Sequence, residues 1–178
     1  MPYVLVTGGV RSGKSGFAEQ RAGLDRRVLY VATGQAWDEE MQQRINLHRD
    51  RRPADWGLLE SGALLTETLS KHLEEGWDCV LIDCLSTWLS NILMSLPESD
   101  LRADTTRAQV LAEAERLAAM FSRPDLHAVL VTTETGLGGV ALTKLGRAFA
   151  DLLGEVNQLL ARHAEEVHLV IAGRALQL

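Results

Sequence analysis

Residues Val4 to Ser15 read VLVTGGVRSGKS: a short β-branched apolar run, a glycine-rich turn, then Lys14-Ser15 at the head of a helical segment. Gly8, Gly13, Lys14 and Ser15 fill the spacing GxxxxGK[ST], and the flanks are those its chemistry requires, a strand before and a helix after. A phosphate chain has to be wrapped by backbone N–H groups, and a Cβ at the wrong position would block that approach. The opening turn of the next helix adds its unpaired N–H groups and its dipole to the same anion site. Lys14 can then reach the β- and γ-phosphates, and the Ser15 hydroxyl can ligate Mg²⁺. The stretch therefore points to a nucleoside triphosphate.

Strands and helices alternate along the rest of the chain. A first helix is expected over Gly16 to Leu24, with Phe17, Ala18 and Ala22 available for packing, and a buried strand over Arg27 to Ala32. Thr33, Gly34 and Gln35 leave that strand at its carboxyl end, where open α/β sheets bind ligands. Asp38 can cap a helix reaching about Arg49, with Glu39 and Glu40 in its first turn. A short strand over Trp56 to Glu60 and a helix carrying Leu64, Leu65, Leu69 and Leu73 follow. Cys79 to Asp83 is a third buried strand, and Leu85 to Met94 a helix. Leu96 to Thr106 reads as an exposed connection, and Arg107 to Phe121 as a helix closed off near Pro124. Ala128 to Thr132 is a strand, Thr133 to Val140 a glycine-bearing loop, Leu142 to His163 the longest helix, and Val167 to Ala172 the last strand. Such alternation, without repeats, implies a mostly parallel sheet covered on both faces. The expected class is a P-loop NTPase α/β fold, RecA-like, formed as one domain over residues 1–178; strand order is left open, and the last strand could run antiparallel.

Composition narrows the possible partners. A chain of 178 residues with 46% hydrophobic and 24% charged side chains can bury one sizeable core. Its net charge of −6 argues against a broad nucleic-acid surface, while leaving room for a local basic patch. Cys79 and Cys84 form neither a CxxC pair nor a disulfide framework and read as reduced thiols. No basic leader precedes the first strand, and no apolar run is long enough to span a membrane, so a cytoplasmic protein is expected.

Three residues outside the loop carry candidate chemistry. Asp83 ends an apolar strand, the place of a Mg²⁺-organising carboxylate in P-loop enzymes, although a turn aspartate occupies the same kind of position. Glu134 follows AVLVTT and precedes Gly136, which suits a substrate-side carboxylate or an ordinary turn residue alike. His48 shares a helical stripe with Met41 and Ile45 and is followed by Arg49, Arg51 and Arg52. Imidazole beside guanidiniums could attack an α-phosphate while cations stabilise the developing charge; a packed helix histidine next to a solvated basic run has the same appearance. His72, His127, His163 and His168 lack that context and have no zinc-site spacing.

Taken in order, VTGGVRSGKS, YVATG, DEEMQQRINLHRDRRPADWGLLE, LIDCLSTWLSN, VTTETGLGGV, LGRAFADLLGEVNQLLA and VHLVIAG resemble, over nearly the whole chain, the bifunctional adenosylcobinamide kinase/adenosylcobinamide-phosphate guanylyltransferase family of vitamin B12 biosynthesis. The resemblance implies phosphorylation of adenosylcobinamide with ATP or GTP, then GMP transfer from GTP to adenosylcobinamide phosphate through a guanylyl-histidine, with His48 at the matching position. It also implies nucleotide contacts from Gly8, Gly9, Val10, Arg11, Ser12, Gly13, Lys14 and Ser15, from Ala32, Thr33 and Gly34, from Arg49, Asp50, Arg51 and Arg52, and from Glu60 and Asp83. Lys14 joins His48 as catalytic, and Ser15 and Asp83 are the expected Mg²⁺ ligands. Family members form trimers, so a homotrimer is implied. Thr133, Thr135 and Ala141 depart from the family's usual loop, which leaves Glu134 outside the assigned site; Arg147, Asp151, Gly154, Asn157 and Gln158 match a later pattern but read equally as helix structure.

Three other classes share part of this pattern. A simple P-loop kinase would use the loop and Asp83 and give His48 no role. A regulatory GTP switch would carry an NKxD-type guanine reader, whereas Thr143-Lys144-Leu145-Gly146 lacks the carboxylate. A nucleic-acid motor module would need an extended basic surface that the composition does not suggest.

Overall fold

The structure, a computed structural model, describes residues 3–23, 25–34, 53, 55–122 and 126–178. A strand and a helix flank the glycine loop at the start: β1 (Val4–Gly8) runs into it and α1 (Lys14–Ala22) leaves it. Then come β2 (Val28–Ala32), β3 (Gly57–Glu60), α2 (Leu65–Ser70), a single 3₁₀ turn (Leu73–Glu75) and β4 (Cys79–Asp83). Next are α3 (Leu85–Met94), α4 (Asp104–Met120), β5 (His127–Val131), a second 3₁₀ turn (Gly136–Gly138), α5 (Lys144–His163), β6 (Glu166–Ile171) and β7 (Arg174–Gln177). The helix expected from Asp38 lies outside the described residues, together with Leu24 and Pro124.

The seven strands form one sheet in the order β3-β2-β4-β5-β1-β6-β7. All neighbours pair parallel except β6 and β7. Strands buried on both faces read as continuous apolar runs, and β1 is buried at every residue. Alternate side chains feed two cores. Leu5, Val80, Ile82 and Leu130 face the layer that includes Leu85 and Leu89 of α3 and Leu153, Val156 and Leu160 of α5. Val4, Val6, Leu81, Val129 and Val131 face Ala18 and Ala22 of α1. Those two alanines let α1 lie close over the sheet, which brings its first turn down onto the end of β1.

Helix α5 shows why its face was readable from sequence. Ala148, Leu152, Leu153, Val156, Leu159 and Leu160 are its buried residues, spaced as one stripe of a helix. Thr143 caps it, its hydroxyl accepting from Gly146 N at 3.0 Å, and Arg162 and His163 sit in the last turn, where cations suit the dipole.

Two sequence expectations need correction. The connection expected to be exposed from Leu96 to Thr106 overlaps α4, which starts at Asp104, and it buries both Leu101 and Thr106; the Thr106 hydroxyl donates to Asp100 O at 2.8 Å. Local polarity concealed a side-chain-to-backbone bond that closes the turn. At the other end, the strand expected to be last is parallel to β1, and a further strand, β7, follows it. Ala172 (φ 49°) and Gly173 (φ 76°) both have positive φ, the requirement of a tight two-residue hairpin turn.

Tyr3 joins the two ends of this architecture. Just before β1, it is buried, its ring meets Phe121 edge-on at 6.3 Å, and its hydroxyl donates to Leu160 O at 2.7 Å. Burial raises its phenol above the ordinary tyrosine range. Tyr3→Phe leaves the α5 carbonyl without this donor in a closed site, so urea denaturation should show a loss of about 1–2 kcal/mol; an unchanged midpoint and slope would mean that the bond contributes nothing net.

Candidate active site

Parallel pairing brings the carboxyl ends of the strands to one edge of the sheet. Ala32 is in register with both Glu60 and Asp83, and Asp83 with Val131. β5 lies between β4 and β1, so the strand carrying Asp83 stands roughly 10 Å from the strand that opens into the glycine loop. Among the described residues, the expected ligand residues of four different segments, the glycine loop, Ala32 to Gly34, Glu60 and Asp83, thus come from one edge.

The loop is held from beneath by the β6–β7 hairpin. Gly8 has φ 151°, and a Cβ there would lie 2.3 Å from Val170 O and 2.9 Å from the Ser12 hydroxyl. Gly13 has φ 97°, and a Cβ there would approach the Cα of Gly173 at 3.1 Å. Gly173 N in turn donates to Ser12 O at 2.8 Å. Gly8 and Gly13 are therefore required twice, by left-handed backbone and by the chain packed against them. Arg11 is also left-handed, at φ 55°, a conformation uncommon for a residue with a Cβ and found at ligand clamps.

Side chains of the loop are poised toward an anion. Lys14 Nζ donates to Gly9 O at 2.9 Å, folded back across the loop. Burial pushes its ammonium below the usual lysine range, opposed by nearby Cys84 and Asp83, so an arriving phosphate would favour the charged form. The hydroxyls of Thr7 and Ser12 are buried with no hydrogen-bond partner among the described residues, which leaves both available to a ligand at the loop. Ser15 follows in the first turn of α1, half-buried.

The exits of β2 and β4 are stitched together. The Thr33 hydroxyl donates to Cys84 O at 2.6 Å and accepts from Cys84 N at 3.0 Å, and Asn91 Nδ2 donates to Thr33 O at 2.8 Å. Tyr30 Oη donates to Asp83 Oδ2 at 2.9 Å, which aims that carboxylate. Gly34 is half-buried beyond Thr33. Cys84 Sγ lies 2.9 Å from the Ser86 hydroxyl and 3.0 Å from that of Thr87, and Ser86 reaches the Thr133 hydroxyl at 3.0 Å. Both thiols are free cysteines, and burial raises each above the ordinary range, Cys79 to about 12.

The exit of β5 is fixed by α5 and by the loop itself. The Thr132 hydroxyl donates to Asn157 Oδ1 at 2.7 Å, and Asn157 Nδ2 donates to Thr133 O at 3.1 Å. Glu134 N donates to Gly8 O at 3.2 Å. In sequence Asn157 reads equally as helix structure, and nothing singles out Thr132, Asn91 or Ser86; the NQ pair and the TT before Glu134 are their traces. Arg147 and Asp151 take structural roles, Arg147 donating to Ala141 O and Leu142 O, and Asp151 pairing with Arg102.

Glu60 is exposed at the end of β3, four strand positions and roughly 19 Å from β1. It therefore belongs to a different part of the edge from the loop. His48, Arg49, Asp50, Arg51 and Arg52 lie outside the described residues.

Residues 4–178 match the family described as cobinamide kinase / cobinamide phosphate guanyltransferase. The chain belongs to this family. The bifunctional adenosylcobalamin biosynthesis protein CobU of Salmonella typhimurium is 42% identical over 175 residues, covering 96% of each chain. CobU of Escherichia coli is 40% identical over 176 residues, again 96% of each, and CobP of Pseudomonas aeruginosa is 42% identical over 172 residues, 95% of this chain and 92% of that protein. Among solved structures, an ATPase from the type III secretion system of pathogenic bacteria superposes with a TM-score of 0.62 at 10% identity, over 99% of this chain and 56% of that one. That likeness is one of fold and bears out the P-loop α/β class. For a cobinamide kinase / cobinamide phosphate guanyltransferase, the described edge supplies a complete phosphate loop.

Gly8→Ala tests how tightly that loop is seated. The new methyl meets a backbone oxygen that cannot move without displacing β6, so the variant should lose roughly 1–3 kcal/mol of stability and most of its triphosphate affinity. Retention of both the wild-type thermal midpoint and the wild-type ATP dissociation constant would show that the hairpin yields easily.

Proposed function

We propose that this protein phosphorylates the hydroxyl of the aminopropanol arm of adenosylcobinamide with ATP or GTP, and then guanylylates the product with GTP to give adenosylcobinamide-GDP. The observation that carries this is the intact glycine loop, seated as described, in a chain that matches the family from residue 4 to residue 178. Both reactions move a phosphorus centre of a triphosphate, and both gain from backbone N–H groups and a cation fixed before the substrate arrives.

In the first reaction, Lys14 offsets charge on the β- and γ-phosphates while the loop N–H groups hold the chain in line for transfer. The donor set at the loop suits Mg²⁺: the Ser15 hydroxyl and the Asp83 carboxylate are hard oxygen ligands, and Tyr30 orients Asp83. Among the described residues no three His, Cys, Asp or Glu side chains converge as a metal site, in keeping with an ion that takes the rest of its shell from phosphate and water. Bound there, Mg²⁺ would supply charge neutralisation at the transferred phosphoryl group.

In the second reaction, His48 attacks the α-phosphate of GTP and pyrophosphate leaves; the phosphate of adenosylcobinamide phosphate then displaces the imidazole. A histidine nucleophile splits one difficult transfer into two easier ones, and Arg49, Arg51 and Arg52 beside it in sequence suit the charge that develops. The assignment rests on the spacing of Met41, Ile45 and His48 and on the family resemblance. Ala32, Thr33, Gly34, Asp50 and Glu60 complete the proposed nucleotide contacts, with Glu60 serving the end of the nucleotide away from the loop.

The chain works as one domain within a homotrimer in the cytoplasm, on corrinoid and nucleotide substrates and without nucleic acid. Trimer assembly follows the family; the acidic balance supports the absence of nucleic acid, and the two free cysteines support a reducing compartment. No helix among the described residues is long and apolar enough to cross a membrane.

Incubation with Mg²⁺ and GTP labelled at the α-phosphate should leave an acid-labile, alkali-stable label on the denatured protein, and His48→Ala should abolish it. Nucleotide binding without covalent label would reduce the function to phosphoryl transfer alone. Lys14→Ala should weaken triphosphate binding and depress both reactions by about 100-fold or more; wild-type affinity for ATP and GTP in that variant would remove Lys14 from the site.

A further inference from the structure

The two reactions differ in what they demand of their acceptor. Guanylyl transfer ends on a phosphate that is already ionised near neutral pH, and its nucleophilic nitrogen carries no proton that must leave before attack. Phosphorylation ends on an alkyl hydroxyl, whose proton has to go somewhere as the oxygen attacks. Only one of the two half-reactions needs a general base for its acceptor.

We propose that Glu134 is that base, a catalytic residue of the phosphorylation and not of the guanylyl transfer. Its backbone continues the β5–β1 ladder past the end of the sheet: Thr132 N donates to Val6 O at 2.8 Å, and Glu134 N to Gly8 O at 3.2 Å. The residue is therefore tied to the first glycine of the phosphate loop, one strand spacing or roughly 5 Å from β1. Its carboxylate is fixed as well, because Gly136 N donates to Oε1 at 2.7 Å. Oε2 has no partner among the described residues, and the side chain is half-buried. The preceding Thr132 and Thr133 are held by Asn157 and Ser86, so the carboxylate stands on a braced strand exit.

The other carboxylates of the edge fit the task less well. Asp83 is a strand farther from β1 and is engaged by Tyr30. Glu60 is exposed four strands away. Glu134 alone among these three adjoins the loop.

The step balances within the known substrates. The acceptor oxygen forms a bond to the γ-phosphorus as the bond from that phosphorus to the β,γ-bridging oxygen breaks. The bridging oxygen keeps the electron pair and leaves on the nucleoside diphosphate. The acceptor proton passes to Glu134 and then to solvent.

This rests on the two-reaction function proposed above, and the test keeps the two apart by assaying each half separately. Purified protein is given ATP with adenosylcobinamide in one assay, and GTP with adenosylcobinamide phosphate in the other. Glu134→Gln, which keeps an acceptor for Gly136 N, should lower kcat for phosphorylation by about 100-fold or more, with the KM for ATP and the rate of guanylyl transfer within about threefold of wild type. Glu134→Ala should give the same split, and its guanylyl transfer reports that the fold survives. Phosphorylation within about threefold of wild type in Glu134→Gln would overturn the assignment; so would an equal fall of both reactions, the sign of a structural or metal-side role. A wild-type protein that phosphorylates no adenosylcobinamide would overturn the function itself, and the base with it.

Discussion

At Gly8 the carbonyl of Val170 occupies the space a side chain would need, 2.3 Å from an ideal Cβ. This close approach sets the position of the whole site. It seats the glycine loop on β6, and the β6–β7 turn reaches up from the same side to bond Ser12 O through Gly173 N. On the other flank Gly8 O accepts from Glu134 N, continuing β5. The loop is thus part of the sheet's own hydrogen bonding rather than a free excursion above it. Its N–H groups can stay oriented toward a ligand without being ordered anew at each turnover, the condition under which fixed dipoles stabilise a transition state best.

Electrostatics and packing oppose one another at Lys14. Burial disfavours its charge, while Asp83 and Cys84 favour it, and the ammonium meanwhile donates to Gly9 O. A triphosphate would replace that single carbonyl with several anionic oxygens. The hydroxyls of Thr7 and Ser12, buried and without a partner among the described residues, add to the same imbalance. Such arrangements cost stability when empty and are recovered when a ligand completes them, which is the ordinary trade at a binding site.

Much of this was legible from residue types because the relevant rules are local. GxxxxGK[ST] specifies a strand, a loop and a helix by steric requirement, and apolar runs such as CVLID and AVLVT have few alternatives to a buried parallel strand. Asp83 was legible because it ends such a run. What escaped was set by partners distant in sequence. Asn157 lies 25 residues from Thr132 and is polar on the inner side of a helix, where spacing alone gives no target. Asn91 reaches back 58 residues to Thr33 O. The β7 hairpin escaped because Ala172 takes a left-handed conformation that its side chain does not advertise. The short α2 and its 3₁₀ continuation ran close to the leucine stripe expected, since Leu65 and Leu69 make the same core contact whether or not the helix is continuous.

Two chemistries on one loop impose a division of labour along the sheet edge. On the function proposed above, whatever holds the triphosphate serves both reactions, so Gly8 through Ser15 and Asp83 would not distinguish them. Discrimination would then come from groups that meet the acceptor or the base-bearing end of the nucleotide, and the topology separates the two candidates in space: Glu134 adjoins the loop just past the end of β5, whereas Glu60 ends β3, four strand positions from β1. A phosphoryl donor that needs only its phosphates recognised can be loose about its base, and the loop is all it requires. A guanylyl donor must present its α-phosphate and its base together, which calls for contacts far from the loop as well as near it. On the function proposed above, the width of the sheet from β1 to β3 leaves room for that second set without altering the first, so one phosphate cradle could serve both steps while base recognition is added at a distance from it.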